Sequence, residues 1–245
     1  MRRVRTPRFG SRIGAVRAGE SKLLRTLLTR PRLLLREKVA VLLGLAVGIC
    51  VPYFTLQRLD VFPLRALPVT AVDLWIPFQP AWIWAYLSIA LLVPIAPLLA
   101  TRREQLMRYA KGLALLCLPC FAAFLVFPVE GPRPEVAGTD ALYELLVSWD
   151  RASNSLPSLH AGLVVYSLLF ALRVLRDDGS VRGLSAHAVS GWTWGALILY
   201  STLATKQHWA IDLPAGVLLA CAAHALAWRD AQRVPGRDEV ALLNL

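Results

Sequence analysis

The side chains best suited to chemistry lie in two short polar segments, residues 155–160 and 206–212, each at the edge of a long apolar run. His208 and Asp212 are four residues apart, so in a helix they share one face and can form a hydrogen bond. A carboxylate on one ring nitrogen fixes the imidazole tautomer and leaves the other nitrogen as a directed nucleophile or base. His160 offers a second imidazole, suited to protonating a leaving group near neutral pH. Two histidines, one of them oriented, predict covalent phosphoryl transfer through nitrogen.

Cations and hydrogen-bond donors near these segments fit a phosphate better than a carbonyl group. Arg133 and Lys206 supply positive charge, and a guanidinium can bind phosphate oxygens bidentately. Ser158 adds a hydroxyl, and Pro157 before the helix start leaves backbone N–H groups, including that of Leu159, free to point at an anion. We therefore predict these residues as the phosphate site. We predict no metal ion and no cofactor, because the cations already supply the charge and no carboxylate cluster for magnesium lies beside them.

An apolar scaffold must position these residues. Of the 245 residues, 56% are hydrophobic and 18% are charged, so the apolar share exceeds that of an average soluble domain. Six apolar runs are close to the length that spans a bilayer. We therefore predict an all-α fold, a six-helix integral membrane bundle in contact with lipid. The predicted spans are approximately residues 39–56, 81–100, 112–127, 159–175, 189–204 and 209–228, with a short re-entrant or surface helix at 142–147.

The predicted domain organisation has a single membrane domain between two tails. Residues 1–37 form a basic cytoplasmic tail that is partly disordered or, over 23–35, an interfacial amphipathic helix. Residues 38–229 form the catalytic membrane domain, and residues 230–245 form a cytoplasmic C-terminal tail. The four cysteines lie inside apolar runs, and their spacing predicts neither a disulfide framework nor a zinc site.

The basic residues predict the orientation of the spans. A net charge of +11 is also typical of nucleic-acid-binding proteins, but 22 of the 27 Lys and Arg lie in the N-terminal segment and in alternate connections. This is the distribution of the positive-inside rule, so we predict cytoplasmic termini, no nucleic-acid partner and a cell membrane location, most simply a bacterial inner membrane. All candidate residues then fall on the non-cytoplasmic face: Arg133, Ser158, Leu159, His160, Lys206, His208 and Asp212.

The two polar segments resemble motifs of the type 2 phosphatidic acid phosphatase (PAP2) superfamily, especially its branch related to inositol phosphorylceramide synthases. The usual pattern has a Lys separated by six residues from Arg-Pro, a Pro-Ser-Gly-His, and a Ser-Arg separated by five residues from His-x-x-x-Asp. Residues 155–162 and 206–216 carry the second and third motifs, and Arg133 with Pro134 matches the end of the first. The resemblance covers roughly residues 110–228.

Three positions depart from the family pattern. Val126 stands where the first motif has Lys, Leu159 replaces the Gly, and Thr202 replaces the Arg of the third motif. Lys206 lies one helical turn beyond Thr202 and could supply the missing charge from the same face. Similar departures occur in the synthase-like branch, so they weaken the assignment to ordinary phosphatases more than the assignment to the superfamily.

The resemblance implies a PAP2-type bundle in which His208 attacks phosphorus, Asp212 orients it and His160 protonates the departing oxygen. The leading hypothesis is a membrane phosphatase that hydrolyses a lipid phosphomonoester or diphosphate through a phosphohistidine. An alternative is a phosphotransferase that moves a phosphoryl or phospho-headgroup to an alcohol such as inositol. A transporter with these side chains as a proton relay, or a non-catalytic binding protein, is the remaining alternative. The sequence leaves open the lipid, the acceptor and the oligomeric state.

Overall fold

The computed structural model describes residues 29–134, 140–180 and 185–229. Most of the predicted N-terminal tail, including much of its candidate interfacial helix, and the predicted C-terminal tail lie outside these ranges. The described residues form helices with isolated β-bridges only, so the predicted all-α class is confirmed. The helices are α1 Leu35–Leu56, α2 Ala71–Trp75, α3 Ile83–Leu87, α4 Ile89–Leu98, α5 Arg103–Val126, α6 Ala141–Trp149, α7 Leu159–Asp177, α8 Ala186–Ala204 and α9 Asp212–Trp228, with 3₁₀ turns at Arg30–Arg32 and Pro80–Trp82.

Within the described ranges, four helical segments are long and apolar enough to cross a membrane: α1, Pro80–Leu98 (which joins a 3₁₀ turn to α3 and α4), α5 and α7. The fifth and sixth predicted spans correspond to α8 and α9. The first of these contains His187 and several small polar residues, and the second has 17 residues, fewer than a typical span. The count of six spans therefore stays a prediction, whereas the helical nature of all six segments is observed.

The start of α5 differs from the predicted boundary. The apolar run predicts a span from residue 112, but the helix begins at Arg103. Its first turns carry Glu104 and Arg108, whose side chains pair across one helical turn and support the helix. A search for apolar runs in the sequence cannot detect such an extension, because charged residues continue the helix beyond the hydrocarbon region. The short helix predicted at 142–147 lies within α6.

Helix α7 is the centre of the bundle and packs against α4, α5, α8 and α9. Within its most apolar stretch 61% of residues are buried, whereas none are in the corresponding stretch of α1. Tyr166, Phe170 and Val174 recur every four residues and are fully buried, which places one helical face in the core. The Tyr166 hydroxyl donates to the carbonyl oxygens of Arg108 and Tyr109 at 3.0 and 3.1 Å, which ties α7 to α5.

Residues around the start of α1 pack onto the ends of other helices. The Arg30 guanidinium donates to the carbonyl oxygen of Leu99 at 3.0 Å and pairs with Asp178. Lys38 is fully buried, and its Nζ donates to the carbonyl oxygens of Arg30 and Leu98 at 2.6 and 2.8 Å. These contacts gather the start of α1, the end of α4 and the segment after α7 at one end of the bundle.

Small residues bring the first turns of α7 and α9 into close contact. A Cβ atom built on Gly216 would collide with the backbone carbonyl oxygen of Ser158 and would lie 3.1 Å from the backbone nitrogen of Gly162. Such close approach of two helix backbones requires glycine at the contact. The helix starts that carry the two polar segments are therefore adjacent in space.

We expect Gly216→Ala to destabilise the protein, because the new methyl group meets the backbone of Ser158, which cannot rotate away. Overpacking of this kind typically costs about 1–3 kcal/mol, and thermal unfolding in detergent measures it. Gly44→Ala is the matched control, since nothing lies within 4 Å of a Cβ at that position of α1. The control should keep or slightly raise the unfolding temperature, because Ala favours helix over Gly. An equal decrease in both variants would contradict the close packing.

Candidate active site

The structure brings the three predicted catalytic side chains together. His208 Nδ1 lies 3.1 Å from the carbonyl oxygen of Ser155 and 3.4 Å from Asp212 Oδ2. His208 Nε2 lies 3.1 Å from Nδ1 of His160. Because His208 Nδ1 faces two acceptors, the hydrogen-bond network assigns its proton there and leaves the lone pair on Nε2. This is the orientation that a nucleophilic or basic Nε2 requires.

Asp212, the first residue of α9, is fully buried and accepts hydrogen bonds from several donors. The Ser155 hydroxyl donates to Oδ2, and the Trp209 N–H donates to the same oxygen at 2.9 Å. A carboxylate at a helix N-terminus is also stabilised by the helix dipole. No role was predicted for Ser155 from the sequence, although it opens the first polar segment. In the structure it contacts both His208 and Asp212.

Two of the predicted phosphate-binding residues form the start of α7. Ser158 is fully buried, and its hydroxyl oxygen accepts from the N–H of Ala161 at 3.2 Å, as an N-cap does. The backbone N–H of Ser158 donates to the carbonyl oxygen of Asp212 at 3.1 Å, so it is not available to an anion. The Leu159 side chain packs in the apolar core. Phosphate binding by Ser158 or by the backbone of Leu159 stays a prediction.

The loop between α8 and α9 carries His208 and is held both by the end of α8 and by residues near α2. The Thr202 carbonyl oxygen accepts from the His208 N–H at 3.2 Å. Lys206 has a φ of 54°, in the left-handed region, and its Nζ donates to the carbonyl oxygens of Asp73 and Ile76 at 2.7 and 2.6 Å. Burial lowers the pKa of Lys206, although the Asp73 carboxylate opposes the shift. The side chain predicted to bind phosphate is therefore directed toward α2.

Asp73 fastens α2 to the same loop. One carboxylate oxygen accepts from the backbone N–H and the hydroxyl of Thr70, at 2.8 and 2.6 Å, and the other accepts from the Ala210 N–H at 2.8 Å. Burial would raise the pKa of Asp73, but these hydrogen bonds and the charge of Lys206 lower it overall. This residue was not predicted from the sequence. Thr70-x-x-Asp73 is a capping-box pattern, which could have located the start of α2 but not the contact with the loop.

A small polar cavity of about 10 Å³ lies beside the two histidines, which is room for one water molecule at most. The Arg133 guanidinium faces this cavity and pairs with the carboxylate and carbonyl oxygens of Asp150. The Tyr53 hydroxyl donates to the same carboxylate at 2.9 Å. The structure thus places Arg133 at the same cavity as the two histidines. The lining residues are Tyr53, Tyr86, Arg133, Asp150, Arg151, Ala152, Asn154, Ser155, His160, Gln207 and His208.

The comparison with known families agrees with this geometry. A family model described as the PAP2 superfamily matches residues 69–226, more than half of the chain. The chain belongs to the PAP2 superfamily. No curated protein and no solved structure matches it. The match confirms the predicted superfamily but not the branch related to inositol phosphorylceramide synthases. Members are in general phosphatases or phosphotransferases, and with its apolar helices this PAP2 protein is a multi-pass membrane protein.

An apolar cavity of about 210 Å³ adjoins the polar one in this PAP2 protein. It lies between α1 and α4, and His160 lines both cavities. The Tyr86 ring packs against the His160 imidazole with centroids 4.6 Å apart, and the sequence contains no signal for this contact. No cluster of three or more potential metal-ligating side chains occurs within 29–134, 140–180 and 185–229. The apolar lining comprises Leu42, Leu45, Ala46, Ile49, Cys50, Ile89, Ala90, Val93, Pro94 and Leu163.

We expect Asp73→Asn to destabilise the PAP2 protein at neutral pH, because the carboxylate accepts hydrogen bonds from Thr70 and Ala210 and faces Lys206. The pKa of Asp73 is lowered in the folded state, so its stabilising contribution is present above the unfolded-state pKa and is lost as pH falls through the folded-state pKa. Unfolding temperatures of the two proteins should therefore differ at pH 7, and the difference should shrink as the pH falls below about 3.8 and vanish below the lower folded-state pKa. The exposed Asp60→Asn is the control and should show no such convergence.

Proposed function

We propose that this PAP2 protein is a membrane lipid-phosphate phosphatase that acts on a lipid phosphomonoester or diphosphate through a phosphohistidine. One observation carries the proposal: His160 borders both a polar cavity that contains His208 and Arg133 and an apolar cavity open between two membrane helices. A lipid phosphate has a polar phosphate head and an apolar hydrocarbon tail. It therefore fits a site where a polar cavity and an apolar cavity lie side by side at the reacting group. The multi-pass membrane fold gives such a substrate direct access from the bilayer.

In the proposed mechanism His208 Nε2 attacks phosphorus and forms an N–P bond while the bond from phosphorus to the leaving oxygen breaks. His160, as the imidazolium, donates a proton to that oxygen and becomes neutral. Asp212 holds the Nδ1 proton of His208 and stabilises the positive charge that develops on the ring. A water molecule, deprotonated by His160, then attacks phosphorus and releases inorganic phosphate and neutral His208. The 3.1 Å contact between the two imidazoles leaves no space for phosphorus, so the rings separate when the substrate binds.

The proposed topology places the site on the non-cytoplasmic face with six spans and cytoplasmic termini. The catalytic residues lie at the end of α8 and the starts of α7 and α9, whereas Arg30, Lys38 and Asp178 lie at the opposite end of the bundle. The basic residues concentrate at that opposite end, as they do on the cytoplasmic side of membrane proteins. The membrane domain of residues 38–229 and its two tails remain part of this proposal.

Transfer to an alcohol is the second candidate, and the apolar cavity of about 210 Å³ beside His160 favours a lipid alcohol as the acceptor. Exclusion of water protects a phosphoenzyme from hydrolysis. Val126, Leu159 and Thr202 also depart from the family pattern in the manner of the synthase-like branch. In this case the phosphoryl group of the same phosphohistidine would be transferred to a hydroxyl group, of inositol or of a lipid alcohol, instead of to water, as the N–P bond to His208 breaks.

His208→Ala should abolish turnover, because it removes the atom that attacks phosphorus. We expect a decrease of about a thousandfold or more, measured on protein in liposomes with a panel of lipid phosphates and phospholipids, with and without inositol. Both free phosphate and new phospholipid are followed. A labelled phosphoryl group should remain on the wild-type protein after denaturation in alkali, be lost in acid, and be absent from His208→Ala.

His187→Ala is the control, since His187 is exposed on α8. Phosphate release that His208→Ala abolishes and His187→Ala preserves supports a phosphatase, and a new headgroup-bearing lipid formed only with acceptor supports a transferase. Equal turnover, or equal absence of turnover, in the wild type and in His208→Ala would reject both.

Leu163→Trp should select against long-chain substrates, because the indole fills the apolar cavity beside His160. We expect kcat/KM to fall about tenfold or more for a long-chain lipid phosphate and to change little for a short, water-soluble phosphate ester. Leu118→Trp introduces the same ring on α5, where the side chain is 65% exposed, and should affect neither substrate. An equal loss for both substrates in Leu163→Trp would show that the cavity does not receive the hydrocarbon tail.

A further inference from the structure

The positively charged positions of the family motifs are depleted in this chain. Val126 and Thr202 carry no charge, and the ammonium group of Lys206 is bound by two carbonyl oxygens at α2. Arg133 remains, but it forms a buried ion pair with Asp150, and the two charges cancel. A phosphate dianion therefore needs positive charge from another residue.

The lining of the polar cavity provides that charge. Among its residues the permanently charged side chains are Arg133, Asp150 and Arg151. After the first two neutralise each other, the net charge of the lining equals that of Arg151. This residue lies outside the three motifs, and no role was predicted for it from the sequence.

The backbone of Arg151 is held while its side chain reaches the surface. Its N–H donates to Oε1 of Gln57, a side chain that is 2% exposed at the end of α1. The preceding carboxylate of Asp150 accepts from the Tyr53 hydroxyl at 2.9 Å. The Arg151 residue itself is exposed. An exposed cation beside a cavity can meet an anion before the anion is desolvated, and it raises the local concentration of that anion.

A second observation indicates that the cavity receives hydrogen-bond acceptors. Arg133 Nε is buried and has no hydrogen-bond partner among the described residues, although the rest of this guanidinium is engaged by Asp150. A buried donor without a partner costs free energy. When the two imidazoles separate and the cavity widens beyond its present volume of about 10 Å³, a phosphate oxygen would accept from it.

We propose that Arg151 is a substrate-binding residue that captures the phosphate group of the substrate and delivers it to the buried Nε of Arg133. This inference rests on the proposed function, which identifies the substrate as a lipid phosphate. The ligand chemistry is a phosphate dianion, which a lipid headgroup and free inorganic phosphate share. Arg151 thereby replaces the charge that the family motifs would have supplied at Val126 and Thr202.

The test compares Arg151→Gln, Arg151→Lys and the control Arg58→Gln. Arg58 is exposed, and its guanidinium donates to the carbonyl oxygen of Phe54 at 2.6 Å on α1. The control removes the same charge from the surface but not from the cavity. Turnover of a lipid phosphate in liposomes is measured over a range of salt concentrations. Binding of inorganic phosphate to the same proteins is measured separately by calorimetry.

We expect Arg151→Gln to raise KM about tenfold or more, as the loss of one charge-assisted hydrogen bond does, while kcat changes about twofold or less. The salt dependence of kcat/KM should weaken, because a long-range attraction is lost. Inorganic phosphate should bind about tenfold more weakly. Arg151→Lys should restore most of KM, since the charge returns, and Arg58→Gln should behave as the wild type.

Identical KM, salt dependence and phosphate affinity in Arg151→Gln and Arg58→Gln would overturn the inference while leaving the phosphatase proposal in place. A decrease in kcat alone would also overturn it, since that result assigns Arg151 to the chemical step. Arg151-dependent binding of phosphate by a protein that turns over no lipid would support the inference and reject the proposed function. The two failures are therefore distinguishable.

Discussion

The contact between the first turns of α7 and α9 is the interaction on which the site depends. The Ser158 N–H donates to the Asp212 carbonyl oxygen at 3.1 Å, and the Ser155 hydroxyl donates to the carboxylate of the same residue. Gly216 allows this approach, because a side chain there would displace the backbone. The first turn of a helix has N–H groups without partners inside the helix, and in a membrane they must find them within the protein. The requirement that stabilises the two helix starts therefore also places His160 against His208.

The other side of the site is supported by α2. Asp73 accepts from the Ala210 N–H, and Lys206 donates to two carbonyl oxygens of the α2 segment, so the loop that carries His208 is fixed on both flanks. The left-handed conformation of Lys206 carries a steric cost, which these hydrogen bonds offset. The position of the imidazole is thus determined by residues more than a hundred positions earlier in the chain. Such a support resembles the outer contacts that orient reactive side chains in preorganised sites.

Features set by local spacing could be predicted from the sequence, whereas features set by tertiary contacts could not. The interval between His208 and Asp212 and the order of the two polar segments predicted their grouping, because helical periodicity and motif order are visible in the chain. The direction of Lys206 could not be predicted, since it depends on a left-handed turn and on carbonyl oxygens near Asp73. The extension of α5 to Arg103 could not be predicted either, because a run of apolar residues does not reveal a helix end that is charged. Tertiary contacts at a functional site are the expected place for sequence reasoning to fail.

The arrangement of the two cavities limits how a phosphoenzyme could be discharged. Water and inositol are polar and would reach His208 through the polar cavity beside Arg151, whereas a lipid alcohol would arrive through the apolar cavity that borders His160. In either case the proposed base is His160, which lines both cavities. The choice between hydrolysis and transfer therefore depends on which route opens when the imidazoles separate. Under the proposed mechanism the same side chains serve both reactions, and the walls of the two cavities would determine the acceptor.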